Sequence, residues 1–574
     1  MCPAPWSLAR AARALRRDEG GSMIIFSMFV MIMMLMVGGI AVDLMRFESA
    51  RSRLQATCDR AVLAAADLEQ TRPARAVVED YFAKSGLQGV VPDVPPQPPA
   101  INRRTVAATA GMDLDTYFMG LVGVDELRAT AACTATEARN DIEIVLVLDV
   151  SGSMSGTSGG TTKIANLRAA ARDFVSMVRA NDTENRISIA VVPFNAQVNL
   201  GPTMFNGLVG AGYTIPNRHG TANSFCVDMP TAAFASPRLP TTLAMPQAGH
   251  FDGVSGTTQN HTSFVAPQAP SWNGTTPFCR TEVQNVVRLP AQNVSTLRSQ
   301  LNGLAANGNT SITMGMKWGM TMLDPGMRPF YAQMIGAGQM PATLQGRPYD
   351  YDRPDTLKVI VLMTDGEHVS SQFLEPGYRT EVSNLWRTGT GAGATWSAFF
   401  DRPGTNLDYW VPSIDSNGDA AGVPGAWMAA PHNDTDTDGG GPDTDTDGAG
   451  PPAQQAWNQV WANARVSWVA WTLYARAEGT SNATRTSRYN FWMDRFMSET
   501  VVATMDSTLQ QSCSQAKANG IVVYGIAFEA PANGQAQIYQ CASSPSHYYD
   551  PVGAEIDGVF SAIAGQIAAL RLTQ

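Results

Sequence analysis

The longest apolar run of the chain lies near its N-terminus. Residues 23–42, MIIFSMFVMIMMLMVGGIAV, are 20 residues without a charged side chain. A helix rises 1.5 Å per residue, so this run spans about 30 Å, the thickness of the hydrocarbon core of a bilayer. We therefore predict a transmembrane anchor over residues 22–44. A buried core helix would be shorter, and a cleaved signal peptide would carry a shorter apolar region and a small-residue cleavage site.

Charges beside the anchor predict its orientation. The preceding tail, residues 1–21, carries more basic than acidic residues: Arg10, Arg13, Arg16 and Arg17 against Asp18 and Glu19. An excess of arginine favours the cytoplasmic side of a membrane. We expect a single pass with the N-terminus in the cytoplasm and the bulk of the chain outside it.

Residues 45–140 indicate a small juxtamembrane unit. Segment 45–70 is rich in Ala, Leu, Arg and Glu without Pro or Gly, which favours continuation of the helix. Five prolines in 90–100 predict an extended, semi-rigid spacer. Thr, Val and Ala then nearly alternate at 105–114 and 126–138, which predicts two β-strands.

From residue 141 onward the pattern alternates between buried strands and amphipathic helices. Near-continuous apolar runs predict strands at 142–149, 186–194, 357–366 and 520–528. Apolar residues at helical spacing predict helices at 163–178, 293–304 and 555–572. This alternation predicts an α/β fold with a doubly wound, mostly parallel, Rossmann-like sheet. Segment 197–200, QVNL, is the expected antiparallel partner of the second strand.

Oxygen-bearing side chains stand where two of these strands end. The stretch LVLDVSGSMSG supplies Asp149, Ser151 and Ser153, Asp365 ends a later strand, and Thr310 precedes a helical run. Ligands of open α/β sheets bind beyond the carboxyl ends of the strands. Carboxylate and hydroxyl oxygens suit Mg²⁺, Mn²⁺ or Ca²⁺. Two carboxylates and three hydroxyls leave an octahedral shell incomplete, so a carboxylate of a partner protein would complete it.

These residues resemble the metal-ion-dependent adhesion site (MIDAS) of von Willebrand factor type A domains. The resemblance rests on D-x-S-x-S after a buried strand, a G-x-T-x-I-x-x-G stretch, and T-D-G after another buried strand. It implies that Ser151 and Ser153 bind the metal directly, and that Thr310 does so directly or through water. Asp149 and Asp365 would act mainly through bound water molecules.

The resemblance implies that residues 141–574 form a type A domain with insertions at 201–290 and 368–503. In a type A topology the first insertion joins the domain on the face away from the metal. The second follows Asp365 and would rise over the metal. Within it, the helix-like segment 457–479 carries four tryptophans partly on one stripe. They form either the core of the insertion or an exposed surface for a partner.

Both ends of the chain resemble TadE/TadG-like proteins of Flp (tight adherence) pilus assembly. The likeness lies in RRDEGGSMIIFSMFV with the helix that follows it, and in the tail that begins CASSPSHYYDP. It implies a bacterial inner-membrane protein that faces the periplasm, in or near the machine that builds adhesive pili. Related pseudopilins are cleaved after a glycine that has a glutamate five residues on. Phe26 stands at that place relative to Gly21, so we expect no such cleavage.

Six of the seven cysteines follow the anchor: Cys58, Cys133, Cys226, Cys279, Cys513 and Cys541. An even number in an oxidising compartment predicts disulfides, and the sequence has no CxxC or Cys/His cluster for zinc. Proximity in sequence favours Cys226 with Cys279 and Cys513 with Cys541. Buried free thiols are the alternative.

A second candidate cation site lies in the repeat DTDTDGGGPDTDTDG. Its carboxylates alternate as in the first half of a calcium loop: Asp434, Asp436, Asp438, Asp443, Asp445 and Asp447. Pro442, Pro451 and Pro452 forbid the flanking helices of an EF-hand, and a solvated acidic loop is the alternative.

Composition and motifs narrow the functional classes. The net charge is −10, and no basic stripe occurs beyond the N-terminal tail, which argues against nucleic acid as a partner. The sequence has no Walker A loop and no histidine in a catalytic pattern; His368, near Asp365, is the one to check. We therefore do not expect an enzyme.

The leading hypothesis is an inner-membrane-anchored periplasmic protein of Flp pilus assembly. Its divalent cation would bind a carboxylate on a protein partner, most simply a pilus assembly component. One alternative is a surface adhesin that binds host or matrix ligands. Another is a metal-dependent hydrolase, which would need a base beside the cation.

Overall fold

The computed structural model describes most of the chain in two compact units. The described residues are 20–67, 70–96, 103–138, 141–180, 182, 184–218, 223–251, 278–390, 394–412, 425–431 and 451–570. The two units divide between residues 139 and 140. The tail before residue 20, with Cys2, and the aspartate-rich loop with its six candidate calcium ligands lie outside the described residues.

The N-terminal unit is built on one long helix, α1 (Gly20–Ala66). Its first part is the apolar run, which is long and apolar enough to cross a membrane and is almost entirely exposed. Its second part packs against α2 (Ala74–Lys84) through buried side chains such as Leu54 and Val62 of α1 and Phe82 of α2. The expected continuation of the anchor as a helix is therefore observed.

A β-hairpin covers the second part of α1. Strands β1 (Arg103–Asp115) and β2 (Glu126–Ala138) pair antiparallel, as their alternation predicts. A disulfide between Cys58 and Cys133 ties β2 to α1. The described end of the proline-rich segment packs on the hairpin, since Asp93 forms a β-bridge with Thr109 and Val94 is buried. That part packs on the hairpin and is not the extended, semi-rigid spacer that its prolines predict.

The second unit alternates strands and helices. Its main strands are, in chain order, β3 (Asp141–Asp149), β4 (Ile187–Phe194), β5 (Arg288–Ala291), β6 (Thr356–Thr364), β7 (Ser371–Leu374), β8 (Val382–Thr388), β9 (Thr395–Phe399), β10 (Tyr409–Val411), β11 (Ala426–Met428), β12 (Ala453–Ala456), β13 (Met497–Thr500), β14 (Val522–Ala527) and β15 (Tyr548–Tyr549). Its main helices are α3 (Lys163–Arg179), α4 (Gly201–Gly210), α5 (Val294–Asn302), α6 (Ile312–Leu323), α7 (Arg328–Gly336), α8 (Trp457–Trp461), α9 (Asn482–Phe496), α10 (Val502–Ala518), α11 (Ala532–Cys541) and α12 (Glu555–Leu570).

The central sheet has six strands in the order β15-β14-β6-β3-β4-β5. All neighbours pair parallel except β4 and β5, which pair antiparallel. Alternate side chains of β3 enter two separate cores. Val145 and Val147 pack on the side of α6, whereas Leu146 and Leu148 pack on the side of α3 and α12. Burial on both faces explains why β3 reads as a continuous apolar run.

The antiparallel edge strand was predicted wrongly. Residues 197–200 form no strand, and β4 pairs instead with β5, with Ile189 opposite Ala291. Because β5 follows the first insertion, both ends of that insertion lie at the carboxyl edge of β4. The first insertion therefore joins the domain at the edge that carries Asp149, not on the opposite face. The short β5 contains Pro290 and lacks clear alternation, so its sequence gives little strand signal.

The second insertion has a core of its own. Strands β7 and β13 pair antiparallel at its base, and β8 to β12 form a small sheet in the order β11-β10-β9-β8-β12. The helix-like segment consists of α8 and a second helix at 466–478, which is π-helical over Val469–Ala475. The four tryptophans are at most 5% exposed: Trp457, Trp461, Trp468 and Trp471. They are core residues and not a partner surface.

Candidate metal-binding site

The fold brings the candidate ligands together at one edge of the central sheet. Strands β3 and β6 are parallel neighbours, with Leu148 opposite Met363. Asp149 ends β3, and Asp365 follows the last residue of β6. Parallel neighbours end at the same edge, so these two carboxylates lie near each other although they are far apart in sequence.

Backbone hydrogen bonds hold the Thr310 loop against the serine loop. The Gly152 N–H donates to Gly308 O at 2.8 Å. A Cβ atom on Gly152 would lie 3.2 Å from that carbonyl oxygen, so glycine permits the close approach. On its other side, the loop is held by the Val369 N–H, which donates to Thr310 O at 3.0 Å. Thr310 is thereby fixed between the loops that carry the serines and Asp365.

Four of the five predicted side chains lie in one cluster, in which the Ser153 hydroxyl contacts Ser151 and Asp365 and Thr310 lies beside Gly366. Ser151 Oγ lies 2.9 Å from Ser153 Oγ, and Ser153 Oγ donates to Asp365 Oδ1 at 2.6 Å. Thr310 Oγ1 and Ser153 Oγ lie 3.3 and 3.8 Å from the place that a Cβ atom on Gly366 would take. Ser153 is exposed, whereas the other three are buried, so the cluster opens to solvent on the side of Ser153.

The fifth residue, Asp149, lies beneath the cluster and is fully buried. Its Oδ1 accepts the Ser151 N–H at 2.7 Å, and its Oδ2 accepts the Thr364 hydroxyl at 2.6 Å. Burial and then the charge of Asp365 raise the pKa of Asp149 to about 7, against the effect of these hydrogen bonds. Asp149 thus shapes the loop and supplies charge, with both oxygens already accepting hydrogen bonds.

A lysine is the cation nearest to Asp365. Lys163, the first residue of α3, places its Nζ 3.1 Å from Asp365 Oδ2 and 3.6 Å from Glu529 Oε2. Asp365 Oδ2 is buried, and among the described residues the Lys163 ammonium group is the one cation within 4 Å of it. The carboxylates of Asp149 and Asp365 are therefore buried near each other. The ammonium group beside them, that of Lys163, is partly exposed and also contacts Glu529.

Glu529 lies two residues after β14, at the same edge of the sheet. Its backbone has φ of 52°, a left-handed conformation that is uncommon outside glycine. The Ser158 hydroxyl and the Gly553 N–H, the latter at 3.0 Å, donate to Glu529 Oε1. The hydrogen bond from Ser158 lowers the pKa of Glu529. Sequence analysis missed both Glu529 and Lys163, although each lies at a strand end or helix start on the ligand-binding edge.

His368 belongs to a buried network beside the cluster. Its Nε2 accepts the Thr313 N–H at 3.0 Å, and its Nδ1 lies 2.7 Å from Asp506 Oδ1. The Thr313 hydroxyl donates to Met505 O at 2.8 Å, and its oxygen lies 2.9 Å from Nε2. Burial lowers the pKa of His368. The histidine is fully buried, so it fastens the loop after Asp365 to α6 and α10 and offers no base to a substrate.

The donor set fits a hard divalent cation. Hydroxyl and carboxylate oxygens are the ligands of Mg²⁺, Mn²⁺ and Ca²⁺, whereas zinc prefers sulfur and nitrogen. Among the described residues, no group of three or more His, Cys, Asp or Glu side chains is placed to hold a metal. The cysteines after the anchor are used in disulfides: Cys58–Cys133, Cys226–Cys279 and Cys513–Cys541.

Solved structures similar to this chain include three pilus proteins. SpaC from Lactobacillus rhamnosus GG is a pilus adhesin, 10% identical at a TM-score of 0.28; the match covers 83% of this chain and 33% of SpaC. The vWF domain of the type V pili tip protein Mfa5 from Porphyromonas gingivalis is 12% identical at a TM-score of 0.30. The match covers 76% of this chain and 98% of that domain. The pilus adhesin RrgA from Streptococcus pneumoniae is 11% identical at a TM-score of 0.27. The match covers 84% of this chain and 49% of RrgA.

The chain thus spans about a third of the length of SpaC. All three TM-scores lie below 0.5, and the proposals below rest on this chain's own residues. No curated protein matches the sequence. At the N-terminus, residues 21–68 match the family model described as "Putative Flp pilus-assembly TadE/G-like".

Proposed function

We propose that this protein is a single-pass membrane component of Flp pilus assembly that binds a partner protein through a divalent cation. In this proposal the second unit is a von Willebrand type A domain with a doubly wound sheet. Ser151, Ser153 and Thr310 hold the cation through their hydroxyl groups, and Asp149 and Asp365 supply the negative charge. The TadE/G-like match at residues 21–68 supports the link to pili.

The observation that carries this proposal is the deficit of positive charge at the cluster. Asp149 and Asp365 are 0% and 2% exposed, and Lys163 is the one cation within 4 Å of them among the described residues. A buried carboxylate without a full set of partners is costly. A divalent cation beside Ser153 would neutralise the pair, and in this proposal the three hydroxyl oxygens are its ligands.

The partner chemistry follows from the exposed side of the cluster. When bound, the cation supplies a positive charge with an open coordination position, which attracts a carboxylate. Ser153 is exposed, so an acidic side chain of another protein can approach there. The two insertions stand at this edge and are joined by a buried ion pair, Arg379 Nη1 to Asp228 Oδ2 at 2.9 Å. They would form the walls against which such a partner docks.

Localisation follows from the anchor and the disulfides. The arginine-rich tail favours a cytoplasmic N-terminus, and three disulfides after the anchor suit an oxidising compartment, the periplasm. A surface adhesin would leave the inner membrane, whereas an assembly component stays in it. Membrane fractionation of cells that produce the protein separates these two functions.

The proposal is tested by a pulldown with the full chain, with and without divalent metal. Wild type is compared with Asp149→Ala and with Ser153→Ala, which removes one exposed hydroxyl and its hydrogen bond to Asp365 but keeps both buried carboxylates. We expect at least one partner that requires both the metal and the intact site. The same partners with and without metal, and with all three proteins, would contradict metal-dependent binding.

A further inference from the structure

The turn between β1 and β2, residues 116–125, is fastened to α1 where the apolar run ends. The carboxylate of Asp43 accepts three backbone N–H groups of this turn, from Tyr117 at 3.0 Å, Phe118 at 2.7 Å and Met119 at 2.8 Å. Asp43 is 2% exposed. Three N–H groups on one buried carboxylate hold the turn at a fixed height along the helix.

The turn also reaches back along the apolar run. The Phe118 ring occupies the space beside Gly39, where any side chain would overlap it. Gly39 precedes Asp43 by four residues, which is about 6 Å along a helix axis. On the other side of Asp43, the Arg46 guanidinium stacks 3.8 Å from the centre of the Tyr117 ring. The turn therefore overlaps the last turn of the apolar run and the first polar residues beyond it.

The outer surface of the turn is apolar and exposed. Tyr117 is 68% exposed, Phe118 40%, Leu121 73% and Val122 50%. Four such neighbours in one short turn form a patch that soluble surfaces rarely carry. Tyrosine, phenylalanine and arginine at the end of an apolar helix are typical of the interface between acyl chains and headgroups.

We propose that the turn 116–125 docks into the leaflet that surrounds the C-terminal end of the apolar run of α1. Its partner is lipid: Phe118, Leu121 and Val122 face the acyl chains, and Tyr117 with Arg46 lies among the headgroups. The argument for lipid is continuity, because Phe118 touches Gly39 inside the apolar run, so a bilayer that covers Gly39 also meets the turn. This inference goes beyond the metal site and rests on the membrane anchor alone.

Docking gives the β-hairpin a mechanical role. The disulfide between Cys58 and Cys133 ties the hairpin to α1 well above Asp43, and the turn ties it again at the membrane surface. With both attachments, the N-terminal unit stands on the bilayer at two points, α1 and the turn. A single helix could tilt and rotate freely, whereas two points of support fix the orientation of the unit.

The test uses the full chain in nanodiscs of phosphatidylethanolamine and phosphatidylglycerol, on a Cys2→Ser background. Nitroxide labels are placed at Leu121→Cys, at Met33→Cys in the apolar run, and at Thr134→Cys, an exposed site of β2 distant from the turn. Paramagnetic resonance then compares collision with oxygen, which enters lipid, with collision with a water-soluble nickel chelate.

We expect the oxygen-to-nickel ratio at Leu121 to approach that at Met33 and to exceed that at Thr134 severalfold. A ratio at Leu121 equal to that at Thr134 would show a turn in water and overturn the proposal. Low collision with both reagents at Leu121 would overturn it too, since the turn would then be covered by protein. Nickel access at Met33 would overturn it at its premise, because α1 would not lie in the bilayer.

Discussion

Two buried aspartates in this molecule have opposite surroundings. Asp43 accepts three backbone N–H groups from one turn, and Arg46 lies 3.6 Å from its Oδ1. Asp149 accepts one N–H and one hydroxyl, and burial together with the nearby Asp365 carboxylate raises its pKa. Burial alone thus does not indicate a ligand. A carboxylate whose charge is balanced by hydrogen bonds and cations of the protein stabilises the structure, whereas a pair with too little positive charge nearby is a candidate cation site.

The largest effect is expected from Asp43→Ala. Three partly buried N–H groups would lose their acceptor, and each costs about 1 kcal/mol or more when unsatisfied, so the turn would be destabilised by about 3 kcal/mol. Hydrogen exchange of the full chain in nanodiscs should then speed up at Tyr117, Phe118 and Met119. Asp113→Ala is the matched control, because Asp113 is an exposed carboxylate on the same hairpin. Equal protection in the two variants would mean that Asp43 does not hold the turn.

Asp365→Asn should behave in the opposite way. Without metal, the variant removes the charge of Asp365 and with it the repulsion between this carboxylate and that of Asp149. Its melting temperature should therefore stay equal to that of wild type or rise. With Mn²⁺ at about 100 times the wild-type dissociation constant, wild type should gain about 2.7 kcal/mol that the variant lacks. Thermal unfolding with and without Mn²⁺ measures both. Glu367→Gln, at an exposed neighbour, should match wild type; a metal-free loss of stability in Asp365→Asn alone would contradict the account.

Lys163→Met should separate charge balance from metal binding. The ammonium group 3.1 Å from Asp365 Oδ2 partly replaces the cation in the metal-free protein. Its removal should lower metal-free stability by about 1–2 kcal/mol and raise the affinity for Mn²⁺ by about tenfold. Lys163→Arg, which keeps the charge, should change both quantities less. Thermal unfolding measures the stability and calorimetry measures the affinity for Mn²⁺. If both quantities fall or both rise in Lys163→Met, this role of Lys163 is refuted.

The smallest expected effect is the contribution of His368 to the loss of stability at mildly acidic pH. Burial holds the pKa of His368 below its ordinary value of 6.5, so the folded protein binds fewer protons there than the unfolded chain does. The contribution of His368 to stability should therefore fall as the pH drops below about 6.5, whereas Asp149 and Asp228, whose pKa values burial raises to about 7 and about 6, contribute in the opposite direction in both proteins. In His368→Gln this part of the acid sensitivity should vanish. Melting curves between pH 7.5 and 5.5 test this, and identical slopes for the two proteins would exclude His368 as the cause.

Much of the architecture is predictable because its signals are local. The strands β3, β4, β6 and β14 are buried on both faces and read as apolar runs, and α12 shows its apolar stripe directly. The Asn293 side chain accepts the Thr296 N–H and starts α5, as its residue type predicts. By contrast, β5 is four residues long and is set by its pairing with β4 across an insertion.

The candidate site also contains residues that local sequence patterns predict and residues that only the folded structure brings together. Asp149, Ser151, Ser153, Thr310 and Asp365 are predictable because each stands at the end of a recognisable element. Lys163 and Glu529 belong to the site only through distances of 3.1 and 3.6 Å that the folded chain creates. The disulfide between Cys58 and Cys133 has a separation of 75 residues, so proximity in sequence could not single it out.

The most direct test of the metal site is calorimetric titration of the full chain in nanodiscs with Mn²⁺, Mg²⁺ and Ca²⁺, comparing wild type with Thr310→Val. This substitution removes one hydroxyl and keeps the shape of the side chain. We predict one saturable site in wild type and an affinity at least about tenfold weaker in the variant, with the same metal-free melting temperature. No binding of any of the three cations by wild type, or equal affinity in the two proteins, would contradict the account.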